Sequence, residues 1–202
     1  VAGPVDDKVK ELATIANRNA ANLLNLVNEL LEYQKMEAGM MEFTYAEVDP
    51  IVLVESTVAD MAGFAVGRAV TLETHVGGPV PKLDGDPQRL RQLLSNLISN
   101  AVKFSPKDAV VTVAVYAEGN TVGFSVTDKG PGIPEDFKDR IFDRFTQASG
   151  QAGGDDGPKG TGLGLAISKH IVDAHGGTIR FECLPAAGTT FFVELPLVPP
   201  KK

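Results

Sequence analysis

Disulfide chemistry is excluded at the outset. The 202-residue chain has one cysteine, Cys183, so no intrachain bridge can form, and a reducing compartment fits. No apolar run approaches the ~20 residues that span a bilayer. The first residues lack the basic start and apolar stretch of a signal peptide. There is no excess of base either. Lys and Arg number 19 against 26 Asp and Glu, a formal net charge of −7. That argues against general nucleic-acid binding, which needs basic surface to neutralise phosphates. A local basic pocket stays open. Hydrophobic residues make up 43% of the chain and charged residues 22%, enough for a core in one ordinary domain plus an appendage.

Glycine and proline are missing from Asp7 to Glu37. Over that stretch Leu12, Ile15, Leu23, Leu26, Leu30 and Tyr33 recur at steps of three and four, with Asn19 filling the gap. This is the seam of a coiled-coil or bundle helix. Leu24, Val27 and Leu31 widen the stripe. At 1.5 Å per residue the helix is about 45 Å long. Alone it is poorly stable, so it packs on its own domain or, the reading favoured here, joins an intermolecular bundle. Asn19 in the seam is suited to setting register.

Gly39 ends that helix. Met41–Val48 alternates like a strand. Pro50–Val66 reads as a helix with Asp49 as cap and Pro50 at its first position. Strands are predicted at 70–76, 80–83, 109–117, 121–127, 178–183 and 189–195, and helices at 87–104 and 162–175. Residues 129–160 read as a long Gly- and Pro-rich loop with short helical pieces around 134–143. The fold class is α+β, with helices on one face of a largely antiparallel sheet.

Three stretches carry candidate chemistry. On the helix 87–104, Asn96, Asn100 and Lys103 are spaced by four and three and share one face. An amide carbonyl is a hard ligand for Mg²⁺ and an ammonium is a point charge for phosphate, although a solvated polar face would look the same. At a strand end, Asp128-Lys-Gly130-Pro-Gly132-Ile133 offers a carboxylate for an exocyclic amine and glycines that admit a flat base. Gly160-Thr161-Gly162-Leu163-Gly164-Leu165 opens a helix, where free backbone N–H groups and the helix dipole favour phosphate. It is neither a Walker loop nor a full dinucleotide fingerprint. The stretch 143–160 before it, with four further glycines, reads as a lid over a nucleotide.

Together these stretches resemble the sensor histidine kinases. Asn96–Ser105 resembles the family's N-box and Asp128–Ile133 its first glycine motif. Ile141-Phe142-Asp143-Arg144-Phe145 is similar to the phenylalanine motif, Gly160–Leu165 to the second glycine motif, and Gly188-Thr189-Thr190-Phe191 to the last. Five motifs occur in the family's order over about 85–195. The long helix is similar to the second helix of the family's dimerisation hairpin. The resemblance implies a two-layer α/β sandwich of the histidine kinase, gyrase and chaperone ATPase (Bergerat) type. It divides the chain into a partial dimerisation helix, 1–40, and an ATP-binding catalytic domain, 41–198.

It also implies roles. Asn100 coordinates Mg²⁺ with Asn96 close by, and Lys103 reaches the phosphates of ATP. Phe104 lies beside adenine and Asp128 binds its amino group. Gly130, Gly132, Ile133, Gly160, Thr161, Gly162, Leu163, Gly164, Leu165 and Thr190 shape the pocket. Phe142 and Phe145 anchor the lid, with Arg144 a phosphate or interface candidate. The partners implied are a response-regulator receiver domain and a second copy through helix 7–37. The implied location is the bacterial cytoplasm, with any membrane anchor in other parts of the parent chain.

A kinase of this family phosphorylates an exposed helical histidine, usually followed by an acidic residue. His75, His170 and His175 do not fit; each reads as a packing or helix-end residue, and His175 would suit a helix dipole if protonated. The expectation is a fragment that begins after the acceptor helix, binds ATP and does not phosphorylate itself. This reading has two rivals. ATP hydrolases of the superfamily carry a water-activating glutamate where this chain has Asn96, an amide that cannot act as a general base. A degenerate, non-catalytic scaffold would show damaged motifs, and these are intact. Cys183 reads as a small strand residue without a redox role.

Overall fold

The computed structural model describes residues 6–146, 161–184 and 188–199. The chain divides into two compact units, the first ending at Met41 and the second beginning at Glu42.

The first unit is helix α1, Asp7–Glu37. The Asp6 carboxylate accepts the N–H of Lys8 at 3.2 Å, satisfying one of the orphan donors of the first turn. At the other end Gly39 takes φ +65°, and the N–H of Met40 returns to the Lys35 carbonyl at 2.8 Å. Leu12, Ile15, Leu23, Leu26 and Leu30 are all exposed in the single chain.

In the second unit, strand β1 (Ala46–Val48) leads into helix α2 (Pro50–Val66). Asp49 caps α2 by accepting the N–H groups of Ile51 and Val52. Next come β2 (Thr71–Gly77), β3 (Leu83–Gly85) and α3 (Pro87–Phe104). The hairpin β4 (Val110–Glu118) and β5 (Thr121–Thr127) follows, turning at Gly119 with φ +58°. A single turn, α4 (Glu135–Lys138), precedes α5 (Gly164–Ala174), β6 (Thr178–Leu184) and β7 (Gly188–Pro196).

The strand order is β2-β4-β5-β7-β6, beside a two-stranded sheet of β1 and β3. β2 lies parallel to β4, with α3 in the crossover; the other pairs of the large sheet are antiparallel. Alternation decides the layers. Val111, Val113, Val115, Val122, Phe124, Val126, Phe191, Val193 and Leu195 are buried on one face. Against them pack Leu53 and Val54 of α2, Leu90, Leu93, Leu94, Leu97 and Ile98 of α3, and Ile167, Ile171 and Val172 of α5. Each such side chain contributes roughly 1.5–3 kcal/mol by leaving water. The opposite face carries Thr, Ser and charged residues. There the Arg180 guanidinium lies 4.0 Å from the centroid of the Phe192 ring.

Three expectations shift. The strand around Met41–Val48 is confined to Ala46–Val48. The one predicted at 80–83 begins at Leu83 and runs to Gly85, because Pro79 and Pro81 have no N–H to give a ladder. The helix predicted from Gly162 begins at Gly164, because Gly162 sits at φ +75°, outside helical space.

Candidate functional site

Helix α3 is the spine of the site. Asp86 caps it, its Oδ1 accepting the N–H groups of Gln88 and Arg89 at 3.0 Å each, and Pro87 occupies the first position. Its apolar side is buried in the sandwich, which turns Asn96, Asn100 and Lys103 together toward the opposite side, all half-buried.

The Asn96 amide donates from Nδ2 to the carbonyl of Gly164 at 3.2 Å, joining α3 to the start of α5. Asn100 differs: among the described residues its side chain has no hydrogen-bond partner, so its carbonyl oxygen is available. No cluster of His, Cys, Asp or Glu among the described residues could hold a metal ion by itself. A divalent cation here would rest on an amide oxygen and on oxygens brought by a ligand. That suits Mg²⁺, which keeps few protein ligands and takes the rest from phosphate and water.

Asp128 stands at the end of β5, where the ladder to β7 runs out. It is 6% exposed. Its Oδ1 accepts the N–H of Gly130 at 2.7 Å and of Thr189 at 3.1 Å. The Asp128 N–H donates to the Thr189 carbonyl at 2.8 Å. Oδ2 has no partner among the described residues. Burial pushes this carboxyl above the usual carboxylate range, while the two backbone N–H groups and Lys129 oppose the rise. Gly188, at φ +96°, lies so close to the Asp128 backbone that any Cβ would overlap its carbonyl oxygen. Gly130 is also confined: a Cβ there would sit 2.9 Å from the Phe104 carbonyl oxygen. The end of α3 and the Asp128–Gly130 turn are thus in contact. Phe104 itself is largely exposed.

The third wall is made by Thr161–Leu165. The Leu163 N–H donates to Thr161 Oγ1 at 3.2 Å. A Cβ on Gly162 would meet the Phe145 Cα at 2.8 Å and the Thr146 nitrogen at 2.9 Å. Phe145, at φ +55° and 60% exposed, therefore lies directly on Gly162. Phe142 packs instead toward the sheet, its ring 6.3 Å from Phe181, which is 6.0 Å from Phe191. Ile133 is fixed by its N–H donating to Cys183 Sγ at 3.1 Å. Gly132 turns at φ +86°. Leu163 is buried, Leu165 and Thr161 are half-buried, and Arg144 is exposed. Gly160 and the expected lid between 147 and 160 lie outside the described residues.

The structure thus links Asn96 with Gly164, Phe104 with Gly130, and Phe145 with Gly162. It does not bring Thr190 to this group. Thr190 pairs by its hydroxyl with Thr127 at 3.0 Å, on the sheet face away from the helices. Its neighbour Thr189, buried, makes the bond to Asp128. Strand alternation could have found this: Thr189 shares its parity with the core residues Phe191 and Val193. In sequence Asp86-Pro87 reads as the opening of α3 and His175 as a packing or helix-end residue; the structure joins the two, a bond that no local signal marks. The imidazole is 1% exposed. Burial lowers its pKa, and its partners define a neutral ring rather than a charged one at the helix dipole.

This geometry is that of a known group of domains. Residues 85–199 match the family of histidine kinase-, DNA gyrase B-, and HSP90-like ATPases. The chain belongs to that family, and within it to the ATP-binding catalytic domains of histidine kinases. It is 34% identical over 196 residues to the circadian input-output histidine kinase CikA of Synechococcus elongatus, covering 96% of this chain and 26% of that protein. It is 33% identical over 190 residues to the sensor histidine kinase RcsC of Escherichia coli, covering 94% of this chain and 20% of that one. Among solved structures it is similar to full-length ShkA in complex with AMPPNP, with a TM-score of 0.82 and 31% identity over 99% of this chain and 41% of that chain. It shares the fold of the histidine kinase ThkA in its complex with the response regulator protein TrrA, with a TM-score of 0.74 and 24% identity over 100% of this chain and 55% of that one. The chain therefore spans about a quarter or less of the curated relatives it matches.

Proposed function

We propose that this chain binds ATP with Mg²⁺ and transfers the γ-phosphoryl group to a histidine on a dimerisation helix, for relay to an aspartate of a response regulator. The observation that carries the reading is Asp128. A buried carboxylate with one oxygen satisfied by the backbone and the other without a partner is a ready acceptor for the amino group of adenine. Asn96, Asn100 and Lys103 would then face the phosphates, with Asn100 holding Mg²⁺, which neutralises phosphate charge. In the transfer, the bond from the γ-phosphorus to the bridging oxygen breaks and one to an imidazole nitrogen forms. ADP leaves with the bridging oxygen. The protein supplies positioning and charge, and Asn96, an amide already spent on Gly164, leaves water without a general base.

The acceptor is placed on another segment of the parent protein. His175 is buried, His170 lies within α5, and His75 lies in β2. The exposed stripe from Leu12 to Leu30 supports pairing of α1 with a second copy. No helix among the described residues is long and apolar enough to cross a membrane. Use of ATP supports a cytoplasmic site of action, whether or not the parent is anchored in the inner membrane.

The test is calorimetry of ATP binding with Mg²⁺ and with chelator, on the chain and on Asn100→Ala, followed by addition of a histidine-bearing dimerisation hairpin. Binding that loses its Mg²⁺ dependence in Asn100→Ala, and acid-labile label on the hairpin, are expected. A chain that binds no nucleotide would overturn the reading and leave a scaffold.

A further inference from the structure

Away from the nucleotide residues, two polar side chains, His175 and Asp86, are buried at the far ends of the same helices. The His175 ring, just past the end of α5, donates from Nδ1 to the Ile171 carbonyl at 2.7 Å. Its Nε2 accepts the backbone N–H of Asp86, the cap of α3, at 3.0 Å. These two partners fix the neutral tautomer with the proton on Nδ1. Asp86 Oδ2 accepts the N–H of Thr44 at 2.7 Å, while the Tyr45 hydroxyl donates to the Ala174 carbonyl at 2.8 Å. Phe43 and Tyr45 cover the imidazole, with ring centroids 5.8 and 5.2 Å away. Gly85 of β3 closes the other side; a Cβ there would stand 3.3 Å from His175 Cδ2 and 2.9 Å from Leu90 Cδ1.

We infer that His175 is a positioning residue for nucleotide binding: through Asp86 it locks the start of α3 to the end of α5. Two helices in contact are fixed in relative rotation when they are tied at two points along their length. Asn96–Gly164 is the tie inside the site. His175–Asp86 is the tie outside it, and the segment 43–45 clamps both halves of that tie. If the outer tie is released, α5 can pivot on α3. The glycine turn at its start then moves relative to Asn96, Asn100 and Lys103 without any residue of the site having changed. The inference rests on the reading of the site as the nucleotide pocket.

Two substitutions separate positioning from bulk stability. In His175→Gln, Oε1 stands near the place of Nε2 and can still accept the Asp86 N–H. In His175→Asn, Nδ2 stands near the place of Nδ1 and keeps only the bond within α5. Both lose the ring and its packing, so a merely structural role predicts similar effects. We expect Asn to weaken binding of an ATP analogue about tenfold at a temperature where it is fully folded, and Gln to stay within about twofold of the parent chain. Tyr45→Phe keeps the ring on His175 and deletes only the bond to Ala174. It repeats the test with less of the core disturbed, and a loss of about threefold is expected. Equal affinities for the folded His175→Asn and the parent chain, or an unchanged Tyr45→Phe, would overturn the inference. Failure of the parent chain itself to bind the analogue would instead overturn the reading of the pocket.

Discussion

Replacing Asp128 by Asn changes one atom and should reverse a preference. In the structure Oδ1 holds both backbone donors, Gly130 and Thr189. The Asn carbonyl oxygen can take over both bonds, so the turn and the β5–β7 junction stay closed. The atom now in the place of Oδ2 is an NH₂ group. It donates where the carboxylate accepted, and so opposes the adenine amine. The lost bond is one to a charged acceptor, worth about 1.5–3 kcal/mol, or about ten- to 150-fold in Kd. Guanine presents an oxygen acceptor at the equivalent ring position. GTP should therefore lose little or gain, and the ATP-to-GTP preference should collapse. Stability should hold or rise. Burial raises the carboxyl pKa, so the folded state disfavours the ionised form above that pKa, and a neutral side chain removes the cost. Calorimetry with both nucleotides and a urea titration of the same protein read all three quantities. An unchanged ATP affinity in a folded Asp128→Asn protein would refute the role of Oδ2. A collapsed urea midpoint would show instead that the charge itself holds the turn.

Other outcomes follow from the same geometry. Gly188→Ala forces a Cβ into the Asp128 carbonyl at a positive φ. The strain and the two cross-strand bonds beside it should cost about 3–5 kcal/mol, read as a lowered urea midpoint with ATP binding lost. Asn96→Asp removes the donor to the Gly164 carbonyl and sets two acceptors face to face. A loss of about 1–3 kcal/mol is expected by thermal unfolding, with weaker nucleotide binding. His175 has a pKa lowered from its ordinary 6.5, chiefly by burial, with Asp86 and Asp84 pulling it up. The unfolded chain therefore binds the proton more tightly. The stability His175 contributes is full above about pH 6.5 and falls below it, by up to about 1.4 kcal/mol per pH unit, until the folded pKa is reached. His175→Gln should flatten that part of a midpoint-against-pH curve. Leu23→Glu with Leu26→Glu should abolish concentration-dependent self-association in analytical ultracentrifugation and leave ATP binding intact.

Local chemistry was the legible part. Asp49-Pro50 and Asp86-Pro87 mark the starts of α2 and α3 because cap and first-turn proline act within a few residues. Asn96, Asn100 and Lys103 share a face because helical spacing alone requires it. The parallel pairing of β2 with β4 was not legible, since it is set by partners some forty residues apart that α3 brings together. The start of α5 was misplaced because a glycine reads equally well as helical or left-handed until its neighbour, Phe145, is known. Thr190, expected at the pocket, bonds to Thr127 on the far face while Thr189 bonds to Asp128, because one residue of register exchanges the two faces of a strand. His175 carried no local sign of its role because its decisive partner, Asp86, lies 89 residues away in sequence.

The contact between Phe145 and Gly162 has a consequence for how such a domain can vary. The two backbones touch, so the chain enters and leaves the intervening stretch at one point on the surface. Where the two ends of a segment are already pinned together, adding residues costs only closure entropy, about 0.6 kcal/mol for each doubling of length. The sheet and helices need not register the change. Insertions or deletions between Thr146 and Thr161 are therefore expected to leave the stability of the rest of the domain almost unchanged, read as an unaltered urea midpoint.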